Sequence, residues 1–376
     1  MKAVGIGLIG TGFMGRCHAM AFGAVKATYG DVPTPRLEFL CDRDQEAARR
    51  MAGEFGFARW TTDWREVAAD PTVEVVSITS PNALHRERGE AVAGAGKVVY
   101  CEKPLALTLA DGVAMADAVH AAGVASLIGY SYLRNPALLH AKKLIEDDAI
   151  GRVIQFRGIY DEDYMADPAL PFTWRCRIED AGTGTRGDLT VHLISVAHCL
   201  IGDIAEVIGD IRTVHTERRD GENSGRAATV ENEDQANALI RFGNGVQGVI
   251  GSSRVAWGRK IHLAWEVHGA AGMIAFDQER MNELRIYRNR GDKAEQGFKT
   301  ILTSAAHPPY GQFNPAPGHG LSFNDLKVIE VAHLLRGLDG QETLYPNMDD
   351  ALHIERIIHA IISSSDQGAW VTVNEP

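Results

Sequence analysis

Apolar and polar positions change rhythm once along this chain, near residue 131. Before that point, short apolar runs at 4–9, 37–41, 73–78, 98–101 and 126–128 alternate with amphipathic stretches at 45–55, 86–95 and 109–121. Short, mainly apolar runs suit strands covered on both faces. Their alternation with helical patterns predicts a doubly wound parallel sheet with right-handed crossovers. Asp44 is placed to cap the helix 45–55 and Gly56 to end it.

Beyond Pro136, a helical stretch at 138–147 leads into longer runs in which apolar and polar side chains alternate: 153–160, 206–214, 235–242, 246–255, 262–268 and 273–276. Strands in series with hairpins indicate a largely antiparallel sheet. Asn244-Gly245 between two of them signals a type I′ turn. Residues 291–325, rich in Gly, Pro and His, read as a long loop. Helices over 323–336 and 349–364 and a short strand over 369–373 follow. The expectation is an α/β doubly wound domain at 1–130 and an α+β domain at 131–376.

A length of 376 residues agrees with two domains. The formal net charge of −11 argues against a nucleic-acid partner, which wants a basic face. No apolar run approaches the roughly 18 residues of a membrane span. The first run passes straight into glycines without a signal peptide's cleavage region, so a cytoplasmic location is expected. The five cysteines, Cys17, Cys41, Cys101, Cys176 and Cys199, form no CxxC pair. They fit a reducing compartment, and none has metal-ligand spacing, so no metal is expected.

Gly10-Thr11-Gly12-Phe13-Met14-Gly15 follows the first strand directly and opens a helix. In that setting G-x-G-x-x-G is a dinucleotide fingerprint. Gly10 permits the tight turn, Gly12 lets backbone approach the pyrophosphate, and Gly15 lets helix pack on strand, while the helix N-terminus offers N–H groups to the phosphates. The next strand leads to Asp42, whose carboxylate favours the ribose of NAD over the 2′-phosphate of NADP. Its spacing from Gly15 exceeds the usual ~20 residues, attributed to an insertion around 29–35. Arg43 can meet a phosphate or stack on adenine, and Asp42 can instead cap the following helix. The strand 73–78 ends in Thr79-Ser80-Pro81-Asn82-Ala83-Leu84-His85, at the carboxyl end where ligands sit in this architecture. Ser80, Pro81, Asn82 and His85 are candidates for the cofactor's ribose and pyrophosphate, against a plain helix cap.

The strand 98–101 ends in Glu102-Lys103-Pro104. Pro104 fixes its own φ and steadies the backbone beside Lys103. The Lys103 ammonium can hydrogen-bond a substrate hydroxyl and stabilise the alkoxide charge that develops as hydride leaves. A glycine-rich stretch, 181–187, precedes a helix expected to begin near Asp188. There Asp188 and His192 are neighbours one turn apart. Imidazole suits removal of a hydroxyl proton near neutral pH. The alternative is a capping aspartate with an incidental histidine, one of 14 in the chain.

Together these residues resemble the glucose–fructose oxidoreductase/inositol dehydrogenase (Gfo/Idh/MocA) family, through Gly10–Gly15, Glu102-Lys103-Pro104, Gly151-Arg152-Val153 and the pair Asp188 and His192. The resemblance implies a Rossmann domain with an open-faced sheet domain, and homo-oligomers, dimers or tetramers, built through that sheet. It implies that His192 is the base, that Lys103 polarises the reacting hydroxyl and that Asp188 assists. It also implies NAD as cofactor, with Glu102, Trp174 and Arg175 joining the glycine turn in holding it. Gly12–Ala19, and Tyr160–Pro168 followed by Phe172–Arg175, are most similar to bacterial dehydrogenases of inositols and pyranoses, levoglucosan and L-glucose among them. By that likeness Tyr132, Arg134, Asp163, Tyr164, Trp174 and Arg175, with Arg186, line a pocket for a cyclic polyol or sugar, against ordinary core or surface positions. The activity implied is NAD-dependent oxidation of a secondary hydroxyl. The alternatives are a sugar oxidoreductase or lyase that recycles tightly bound NAD, and a non-catalytic NAD sensor.

Overall fold

A computed structural model describes residues 2–221 and 226–373. Residues 1, 222–225 and 374–376, the ends of the expected domain ranges among them, lie outside the described residues. The chain packs as two compact units, one of 1–134 with 322–353 and one of 135–321 with 354–376. The reading of the sequence gave all of 131–376 to a second domain, whereas 322–353 packs with the first unit.

In the first unit, strands β1 (Ala3–Ile9), β2 (Thr34–Cys41), β3 (Arg59–Thr61), β4 (Val75–Ile78), β5 (Val98–Glu102) and β6 (Ser126–Gly129) alternate with helices α1 (Phe13–Thr28), α2 (Gln45–Phe55), α3 (Trp64–Ala69), α4 (His85–Gly94) and α5 (Leu109–Ala122). The sheet order is β3-β2-β1-β4-β5-β6, and every pairing is parallel. This is the doubly wound order in which dinucleotides bind at the strand carboxyl ends. All of β4 and β6 is buried, in keeping with the mainly apolar runs there, and the polar exceptions Ser77 and Ser126 are buried too. Asp44 accepts the N–H groups of Glu46 and Ala47 at 2.9 and 3.1 Å, and Gly56 closes α2 at φ 78°. β3 and α3 are too short to show a period and escaped the pattern.

In the second unit, α6 (Pro136–Glu146), β7 (Val153–Glu162), α7 (Ile178–Ala181) and α8 (Val191–Ile201) precede a run of strands. These are β8 (Ile204–Arg212), β9 (Glu217–Arg219), β10 (Ala227–Thr229), β11 (Gln235–Phe242), β12 (Gln247–Ser253), β13 (Lys260–Gly269), β14 (Gly272–Asp277), β15 (Glu283–Arg288), β16 (Lys299–Leu302) and β17 (Val371–Thr372). Eight of these join β7 in a sheet of the order β16-β15-β14-β13-β7-β12-β11-β8-β17, antiparallel except where β7 meets β12. The helices α6 and α8 pack on it. Along β11 every second residue is buried, from Ala236 to Phe242, while Asn237, Leu239 and Arg241 face out.

Two expectations are corrected. The β11–β12 hairpin closes with Gly245 N–H on Phe242 O at 2.9 Å, and only Gly245 there takes positive φ, so the turn is not type I′. The stretch read as a long loop contains β16, an exposed edge strand with little alternation to reveal it. Helices α9 (Phe323–Leu338) and α10 (Met348–Gln367) follow, and α9 packs against α1. No described helix is long and apolar enough to cross a membrane.

Candidate active site

In the first unit, β1 delivers the chain into the glycine turn. Gly10 N–H donates to Cys41 O at 2.8 Å, at φ 111°, and a Cβ there would stand 2.8 Å from Thr79 O. A Cβ on Gly15 would lie 2.1 Å from Gly10 O, so α1 begins hard against the turn. Around Gly12 a Cβ would meet nothing within 4 Å, and Gly12 supplies no side chain to cap α1. The turn is therefore open where a phosphate can reach the N–H groups of the helix start.

Asp42, just past β2, accepts Thr11 N–H at 2.8 Å and Thr11 Oγ at 2.7 Å on one oxygen, and Asp44 N–H at 3.0 Å on the other. Asp44 caps α2, so Asp42 is left to brace the turn, half-buried at its rim, with Arg43 exposed beside it. Phe13 is exposed and stacks on Phe323 at 5.8 Å, and Phe323 in turn meets Tyr132 edge-on at 6.0 Å. Met14 lies half-buried in the first turn of α1.

Beyond β4, Thr79 Oγ1 donates to Ile9 O at 3.0 Å, Ser80 is buried, Pro81 is exposed, and Asn82 opens a 3₁₀ turn into α4. His85 is fully buried, with Nε2 2.9 Å from Ser80 O and Nδ1 2.9 Å from Pro104 O. Burial holds its pKa below the ordinary value. Its ring ties the loops after β4 and β5 together through those two carbonyls. Glu102 also turns inward, taking His18 Nε2 at 2.7 Å and Lys327 Nζ at 2.8 Å. Lys103 follows it, half-buried.

In the second unit, Gly184 and Thr185 cross the backbone of Glu233. Thr185 N–H donates to Glu233 O at 3.0 Å, and a Cβ on Gly184 would lie 1.9 Å from that oxygen. From Arg186 to Thr190 the chain makes a π-helical turn, and α8 starts only at Val191. The expected α-helical start at Asp188 is thus corrected: Asp188 sits in the wider turn and His192 in the first turn of α8. Such insertions recur at functional sites. Tyr164 OH donates to Asp188 at 2.6 Å. Burial and then the carboxylate push the phenol's pKa well up, so it stays a donor. His192 is nearly buried, with the Tyr160 ring 6.0 Å away.

Several pocket candidates also meet other parts of the protein. Arg186 is buried against Glu233, its guanidinium at 2.8 Å and its N–H at 2.9 Å from the two carboxylate oxygens. Burial raises the Glu233 pKa, but Arg186 outweighs it and holds the carboxyl below the usual range. Asp163 takes Lys260 Nζ at 2.6 Å and Gly258 N–H at 3.0 Å, a bracket just past the end of β7. Tyr132 and Arg134 belong to the first unit, Arg134 donating to Tyr345 O. Trp174 and Arg175 are exposed on a 3₁₀ turn, the guanidinium 4.5 Å over the indole, with Arg175 O held by Asn232 at 2.8 Å.

Asn232, Glu233 and Asp234 were missed by the sequence reading. All three are buried and fix, in turn, Arg175 O, the π turn and Arg254. Their signal was four consecutive polar residues from Glu231 just before a strand, a place where solvated loop is the ordinary interpretation.

Residues 4–130 match the oxidoreductase family with an NAD-binding Rossmann fold, and residues 138–275 match the GFO/IDH/MocA C-terminal domain. The chain is 36% identical to levoglucosan dehydrogenase of Pseudarthrobacter phenanthrenivorans over 99% of both chains. A solved levoglucosan dehydrogenase in complex with NADH and levoglucosan superposes at TM-score 0.96, with 35% identity over 100% of both. An NAD binding oxidoreductase from Klebsiella pneumoniae does so at 0.95, with 41% identity over 100% of both.

Proposed function

This chain belongs to the GFO/IDH/MocA family of oxidoreductases, and from that premise we propose that it oxidises a secondary hydroxyl of a pyranose, with levoglucosan-type anhydrosugars first. It is an NAD-dependent dehydrogenase of the sugar and polyol class. The likeness to levoglucosan dehydrogenase along the whole chain carries the choice of substrate.

NAD supplies the hydride acceptor. The glycine turn suits its pyrophosphate, with open space at Gly12, and Asp42 suits an adenosine ribose once Thr11 shares the carboxylate. Trp174 and Arg175 offer an exposed indole and guanidinium to the cofactor or the sugar. His192 removes the hydroxyl proton as the C–H bond breaks. Lys103 donates to the same oxygen and stabilises its growing negative charge. Asp188, oriented by Tyr164, binds a neighbouring hydroxyl or steadies His192. The partner between copies is a second chain of the same kind, met through the open sheet face where Ile159, Leu239 and Val249 are exposed. Five free thiols, four of them buried, suit a reducing cytoplasm.

NADH formation at 340 nm across levoglucosan, aldopyranoses including L-glucose, and inositols tests the reading. Levoglucosan is expected to give the highest kcat/KM. Lys103→Met and His192→Ala are each expected to remove turnover while NAD affinity stays within about threefold of wild type. No NADH with any compound, or normal turnover in both variants, overturns it.

A further inference from the structure

The first unit encloses a set of charged side chains that no step above uses. Lys327, on α9, is completely buried, its ammonium 2.8 Å from Glu102 Oε1 and 2.6 Å from Glu330 Oε1. His18, on α1, places Nε2 2.7 Å from the same Glu102 oxygen and Nδ1 2.7 Å from Ser77 Oγ on β4. Tyr100, on β5, donates to Glu330. Burial, and then Lys327, keep the His18 pKa below its ordinary value. The neutral ring donates through Nε2 to Glu102 and accepts from Ser77. Glu102 has room because its neighbour across β6 is Gly129, where a Cβ would stand 2.5 Å from Oε1.

Buried ion pairs are weak devices for stability, since well-packed apolar side chains of similar volume do as well or better. What distinguishes this one is its address. Glu102 is the last residue of β5 and the immediate neighbour of Lys103, and its carboxylate is gripped at once from α1 and from α9. That grip fixes the backbone from which Lys103 projects. We propose that Lys327 is a positioning residue for Lys103, acting through Glu102. This rests on the reading of Lys103 as the group that polarises the reacting hydroxyl.

Removing the lysine alone strands two buried carboxylates, Glu102 and Glu330, and endangers folding, so the deciding variant is the triple exchange Glu102→Gln, Glu330→Gln and Lys327→Met, in which all three charges go. Hydrogen exchange read by mass spectrometry is expected to show residues 98–108 exchanging at least tenfold faster than in wild type, with residues 3–9 unchanged. NAD affinity should stay within threefold. With levoglucosan, kcat should fall at least tenfold while KM for the sugar moves less than threefold, a split that general loosening of the fold would not give. Wild-type exchange over 98–108, or wild-type kcat in the triple variant, overturns the proposal. Should the wild-type enzyme reduce NAD with no sugar, the functional reading fails, and the exchange measurement still decides this one.

Discussion

Tyr164 and Asp188 form a phenol–carboxylate contact at 2.6 Å, short enough to fix the carboxylate's direction. Hydrogen bonds to charged acceptors contribute about 1.5–3 kcal/mol. Tyr164→Phe is therefore expected to lower kcat/KM for the sugar by about tenfold or more, with NAD binding unchanged in a fluorescence titration. An unaltered kcat/KM would take Asp188 out of the reaction. At this scale the sequence was legible where a residue's neighbours are local, as in Gly10, Gly15 and Asp44. It did not show the protein partners that His85, Glu102, Asp163 and Arg186 also meet. Glu102 meets one 225 positions away in Lys327, and spacing along the chain does not reveal that.

At the scale of elements, the π turn Arg186–Thr190 is held by a single acidic side chain from outside it. Breaking a buried pair by removing one partner typically costs 3–5 kcal/mol. Glu233→Gln is expected to reduce unfolding free energy by about 3 kcal/mol at pH 7 in urea titrations. Because the folded carboxyl titrates below its unfolded value, the pair's contribution is complete above the unfolded value of about 4.3 and is lost as pH falls through the folded one. The gap between wild type and variant should therefore narrow on acidification below about pH 4, and a constant gap would contradict the ion pair. Long elements with a strong period, such as α2, β11 and β13, could be read from the sequence. The π turn could not, since one extra residue per turn leaves no pattern, and β3 and β16 are too short or too exposed for one.

For the whole molecule, the expected assembly has a direct check. Val249, paired with Leu239 and Arg157, stands on the open face of the sheet. Light scattering of the wild type is expected to give a dimer or tetramer, and Val249→Asp to shift it toward monomer. A monomeric wild type would end that reading. Domain class was legible because strand–helix alternation and serial strands differ in rhythm. The return of 322–353 to the first unit was not, because helical periodicity does not say which sheet a helix will cover.

That return has a consequence for how the protein is made. A nucleotide-binding unit whose interior includes Lys327 and the packing of α1 on α9 cannot be finished as its first 134 residues leave the ribosome. Until the closing helix arrives, Glu102 waits without its cation. A fragment ending at the apparent boundary would keep that vacancy permanently, which makes the excised domain a poor stand-in for the intact enzyme.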